Sequence, residues 1–120
     1  MNNVFEAFTL LPAKLQPKIT IFQHGVDTYQ VVKYLIDKNK DIIQNSDLIR
    51  VAALVHDIGK AEQNWQRDQW IHTKHTRKYL EPLLEDKFFV RLIKDRGLKI
   101  PEDRELLVRI CEEHHNPSPQ

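Results

Sequence analysis

The sequence predicts an all-α fold, a compact bundle of five or six helices in a single domain. Three observations predict it. Apolar residues recur three and four apart, as in Val26, Tyr29, Val32 and Ile36. Sustained period-two alternation is missing, and the apolar patch over 19–22 is too short to build a sheet. Capping and breaking residues (Asn, Ser, Gly, Pro) stand between the periodic runs, where helices start and stop.

The elements follow in order. Residues 2–10 suit a short helix that ends before Pro12, which disfavours helix in the residue preceding it. The next helix spans 23–38. Asn45 or Ser46 can cap a third, running to about Asp57 with Leu48, Ile49, Ala52, Ala53 and Val55 on its apolar side. Gly59 can supply the positive φ that closes it. Residues 62–69 are polar, with Trp65 and Trp70 as aromatic anchors. A helix starts near His72 or Thr73 and carries Tyr79, Leu80, Leu83 and Leu84, with Pro82 kinking or dividing it. Phe88, Phe89, Leu92 and Ile93 continue an apolar face as far as Gly97. Pro101 takes a first-turn position, with Glu102 and Asp103 favourable to a helix N-terminus, and Leu106, Leu107 and Ile110 line the last helix to about His115.

Bulk properties bound the function. A chain of 120 residues makes one domain, taken over 1–120 with a core of about 20–116. A formal net charge of +1 makes no electrostatic case for nucleic acid, and none against a local basic patch. The single cysteine, Cys111, excludes an intrachain disulfide. No apolar run approaches the roughly 18 residues of a membrane span, and the N-terminus lacks a secretory pattern, so no membrane partner and a cytoplasmic location are expected.

The chemistry concentrates at Leu54-Val55-His56-Asp57-Ile58-Gly59-Lys60, where an apolar run meets an adjacent histidine and aspartate. A carboxylate at a helix C-terminus opposes the helix dipole unless it is paired or binds a cation. A metal ion resolves that conflict; so does a salt bridge to Lys60 or Arg50. Histidine and carboxylate are ligands for divalent metals, and His24, His72, His114 and His115 fall near the ends of other predicted helices.

The order of these residues resembles the HD-domain superfamily of metal-dependent phosphohydrolases: a histidine, a His-Asp pair, further histidines and a closing aspartate. Its matches are His24, His56-Asp57 within HDIGK, His72, and His114-His115. The family's third motif has a small residue four places after its histidine and an aliphatic one eight places after; Thr76 and Leu80 fill those places after His72. The rival, His75, would put Tyr79 in the small position. The family fold is all-helical, as the periodicity independently predicts. The closing aspartate has no match after His115, and Asp95 and Asp103 come too early. Either the chain is truncated at its C-terminus or the first metal is one ligand short.

The resemblance implies one or two divalent ions: manganese, iron, nickel, zinc or magnesium. His24, His56 and Asp57 would hold the first. Asp57 would bridge to a second, held by His72 and His114 or His115, because a carboxylate has two oxygens to share. Lys60 would neutralise a phosphate oxygen, making Asp57 and Lys60 the catalytic pair. Gln66, Lys74 and Arg77, with Lys60, would meet substrate. The expected substrate is a nucleotide or other small phosphoester. The competing reading is a nuclease acting on single-stranded nucleic acid, since HDIGKA followed by Trp65-Gln66 is similar to the HD domains of CRISPR-associated helicases; the basic residues from Lys74 to Lys99 could contact phosphates. A third reading is a non-catalytic HD module.

Overall fold

The computed structural model describes residues 3–15, 18–38, 46–62 and 74–114. Its first element, α1 (Val4–Leu10), begins where the Asn3 side chain accepts the Glu6 N–H at 2.8 Å, and it buries Ala7 and Phe8. Leu11 leaves the helix in an extended conformation ahead of Pro12, as expected. A two-stranded antiparallel ribbon then departs from the all-helical expectation: β1 (Pro12–Leu15) pairs with β2 (Lys18–Thr20), with Lys14 opposite Ile19 and Leu15 opposite Lys18. Alternation could not reveal it. Each strand is a few residues long, and Ala13 is the one residue of the pair that is fully buried.

Helix α2 (Ile21–Lys38) starts two residues before the predicted position because the Thr20 hydroxyl oxygen accepts the Gln23 N–H at 3.0 Å. It buries Ile21, Gly25, Tyr29 and Ile36, a stripe repeating every four and seven residues. Helix α3 (Ser46–Val55) takes Ser46 inside its first turn; the alternative cap, Asn45, lies outside the described residues. Its residues Val51, Ala52, Ala53, Leu54 and Val55 are all buried, so this stretch is surrounded by protein. Gly59 does not end the helix in the left-handed region. It is buried inside a further 3-10 turn, Ile58–Ala61, and the glycine with positive φ is Gly97, at 74°.

Pro82 divides the next apolar stretch. It stands in the last turn of α4 (Thr76–Leu84), and Asp86 then caps α5 (Lys87–Lys94), accepting the N–H groups of Phe88 and Phe89. At Gly97 the Leu98 N–H returns to the Ile93 carbonyl at 2.9 Å, a left-handed helix termination. Helix α6 (Arg104–Glu113) is capped by Asp103, so Pro101 stands ahead of the helix and not in its first turn. That later start turns the face: Leu107, Val108 and Cys111 are buried, whereas Leu106 is 40% exposed. The helices close on one core in which Phe8 meets Phe22 and Phe89 edge-on, at 5.5 and 5.7 Å between ring centres. Among the described residues no helix is long and apolar enough to cross a membrane.

Candidate metal centre

Asp57 lies two residues past the end of α3, and its side chain is 3% exposed. It stands at the N-cap position of the 3-10 turn but makes no capping bond with its side chain. Its oxygens face other groups. Oδ2 lies 3.2 Å from His24 Nε2, 3.3 Å from Lys60 Nζ and 3.5 Å from His56 Nε2. Oδ1 lies 3.2 Å from His114 Nε2. A buried carboxylate requires compensating charge or donors, and these groups supply it. Lys60 is thus one of the two salt-bridge partners expected for Asp57; the other, Arg50, pairs with Asp37 at 3.0 Å.

The imidazoles are oriented by backbone carbonyls. His56 Nδ1 lies 2.7 Å from the Ala53 oxygen, and His114 Nδ1 lies 2.6 Å from the Cys111 oxygen. A carbonyl only accepts, so in both rings Nδ1 carries the proton and donates it. In the neutral ring Nε2 then holds a lone pair, and it is Nε2 that faces Asp57. Burial, opposed by the Asp57 charge, holds the His24 and His56 imidazoles below their ordinary 6.5 and so favours the neutral form. Lone pairs of neutral imidazole and carboxylate that converge at about 3 Å repel unless a cation lies between them. This donor set therefore suits a divalent metal, and ligand atoms of His24, His56 and Asp57 all lie within 4.8 Å of one another. An Nδ1–H bonded to a carbonyl is also the usual way a metal-binding histidine is held in its tautomer.

Three features of the fold bring the group together. Gly25, next to His24, lets α2 approach α3 so closely that a Cβ there would lie 1.9 Å from the Leu54 carbonyl oxygen. The ribbon contributes the Ala13 carbonyl, which accepts from Lys60 Nζ at 2.9 Å and holds the ammonium beside Asp57. Helix α6 ends so that the His114 ring meets the His56 ring edge-on at 5.1 Å, while the His24 ring lies 4.9 Å from that of His56.

His24, His56, Asp57, Lys60 and His114 are thus assembled as a group. His114 lies against Asp57; the adjacent candidate His115 lies outside the described residues, as do His72, Gln66, Trp65 and Trp70. Thr76 and Leu80 are fully buried. His75, the rival of His72, lies 3.7 Å from Glu62. Lys74 is exposed. Arg77, expected to meet a phosphate, donates to Glu105 and Glu112, because packing sets α4 beside α6. Sequence reasoning missed Gly25 and the Ala13 carbonyl. A glycine inside a helix beside a candidate ligand was the available signal for the first; a backbone carbonyl leaves none.

The family model described as HD domain matches residues 21–120. No curated protein and no solved structure matches the chain.

Proposed function

Because the chain belongs to the HD-domain family, we propose that it is a metal-dependent phosphohydrolase acting on a nucleotide or another small phosphoester. The observation that carries the reading is one buried carboxylate faced by the Nε2 atoms of three histidines, two of them fixed as Nε2 donors by their backbone carbonyls. His24, His56 and Asp57 would hold one divalent ion. Asp57 and His114 would offer a second position, to which His72 and His115 are the further candidate ligands. The ion is manganese, iron, nickel, zinc or magnesium, and when bound it supplies a Lewis acid that activates water and polarises a phosphoryl group.

The protein's own groups have distinct parts. Asp57, with two carboxylate oxygens, would be the ligand common to both positions. Lys60 lies beside the carboxylate, held by the Ala13 carbonyl, and neutralises a phosphoryl oxygen as charge develops there. Gln66 and Lys74 contact the rest of the substrate. A small phosphoester is favoured over a nucleic acid because two residues of the basic stretch, at the turn of α4 nearest the site, are already paired. Arg77 meets Glu105 and Glu112, and Lys78 meets Glu62. These pairs dilute any phosphate-binding field.

The test is elemental analysis of protein purified without chelator, beside Asp57→Ala, followed by a phosphoesterase screen on nucleotides and single-stranded DNA. One or two ions per chain that are lost in the variant, with hydrolysis of a nucleotide, is the expected result. An Asp57→Ala protein with full metal content refutes the site. Hydrolysis of DNA alone reassigns the substrate to nucleic acid.

A further inference from the structure

We infer that Arg77 is a positioning residue of the metal centre, locking the last turn of α6 so that His114 meets Asp57. This rests on the metal-site reading above. Arg77 grips Glu105 with two parallel hydrogen bonds, Nη1 to Oε1 at 2.7 Å and Nη2 to Oε2 at 2.8 Å. It also reaches Glu112, Nη2 to Oε1 at 3.2 Å and Nε to Oε2 at 3.4 Å. Glu105 and Glu112 are seven residues apart, two turns along one face of α6. A planar fork held at both points resists sliding and rotation of that helix. Glu112 is two residues before His114, so the second grip acts on the turn that carries the ligand.

The other side of the same turn of α4 is tied to the carboxylate. Lys78 Nζ and Tyr79 Oη both donate to Glu62 Oε2, at 3.1 and 3.0 Å. Glu62 closes the 3-10 turn that begins immediately after Asp57. The first turn of α4 is therefore a strut. One side holds the segment of Asp57 and Lys60; the other holds the helix end of His114. Buried packing by Leu107, Val108 and Cys111 decides where α6 lies. The arginine, whose side chain is 37% exposed, sets the rotation of its exit. Exposed ion pairs add little to stability, so the lock is separable from folding. Lysine cannot replace it, since one ammonium lacks the fork that serves two carboxylates.

The experiment is a Zn²⁺ titration of chain labelled with ¹⁵N in its histidine rings, following the Nε2 resonances of His24, His56 and His114, with the Tm of the metal-free protein measured alongside. In Arg77→Ala the Zn²⁺ concentration that shifts His114 rises about 10-fold, in line with the loss of groups that orient metal ligands. His24 and His56 stay within about 2-fold, because their carbonyl and helix supports are untouched. Arg77→Lys behaves like Arg77→Ala, and Glu112→Gln moves His114 in the same direction by less. Equal weakening at all three histidines, or no change at His114, overturns the inference. Failure of His24 and His56 to respond to Zn²⁺ in the unaltered protein would instead bring down the metal-site reading, and this proposal with it.

Discussion

Replacing Gly25 by alanine tests how the metal centre is built. The added Cβ would lie 1.9 Å from the Leu54 oxygen, 2.8 Å from its carbonyl carbon and 3.1 Å from its Cα, whereas real Cβ contacts essentially never fall below 3.0 Å. All three atoms are α3 backbone, and no rotamer change can move them aside. Helices α2 and α3 must therefore part by about 1 Å at this point, several times the roughly 0.2 Å that metal–ligand distances tolerate. The strain falls on the site, since His24 is the neighbour of Gly25 and Leu54 precedes His56 by two residues. Overpacking costs about 1–3 kcal/mol, offset by about 1 kcal/mol from alanine's better helix propensity. The net loss is up to about 2 kcal/mol, a Tm lower by up to about 10 °C. Metal affinity should fall more sharply, by about 10-fold or beyond, as the candidate ligand His24 is withdrawn. Calorimetric titration with Zn²⁺ and a thermal melt of the metal-free protein measure the two effects separately. A Gly25→Ala protein with wild-type affinity and wild-type Tm would show that α2 and α3 do not meet here, and the geometry derived for His24 would be wrong.

Gly97→Ala is the matched control: φ is +74° and nothing lies within 4 Å of the added Cβ, so the backbone strain costs about 1–2 kcal/mol. Chemical denaturation should show that loss while Zn²⁺ affinity is unchanged; a parallel fall in affinity would refute the distinction between the two glycines. Burial holds the folded pKa of His24 and His56 below 6.5, so from pH 6.5 downward the unfolded chain binds more protons than the folded one. This contribution to stability is present above pH 6.5 and falls as the pH drops through the window between the unfolded and folded pKa values. Urea denaturation of the metal-free protein at pH 7.5, 6.5 and 5.5 measures it, and the contribution is absent if replacing both histidines by glutamine leaves the pH profile unchanged. The Cys111 thiol is pushed up to about 12 by burial, with Asp57 and Glu112 adding to the shift, so it should resist alkylation at pH 8 in the native protein and react on unfolding. Rapid native labelling would contradict its placement in the core.

Local rules carried the parts of the molecule that local rules govern. Helix periodicity marked α2 and α3 because one stripe of a helix must face the core, and Pro82 marked the break before α5 because proline ends helices by sterics alone. An aspartate directly after an apolar helix marked the candidate site, since its dipole conflict is visible within a few residues. The ordered histidines then made the family resemblance legible. The ribbon escaped notice because its strands are too short to alternate. The face of α6 was misread because its cap, Asp103, lies two residues beyond Pro101. The pairing of Arg77 with Glu105 and Glu112 was not legible, since a lone charge in a sequence does not name its partner. Chain order alone placed His24, Asp57 and His114 in one pattern; their meeting within hydrogen-bonding distance required the packing of α2, α3 and α6. The Gly25 approach and the Ala13 carbonyl belong to that packing too. Residue type and order show which side chains have the chemistry to bind a metal. Which of them share one carboxylate is set by packing, because convergence across 57 residues of chain depends on nonlocal packing and backbone contacts that no local pattern records.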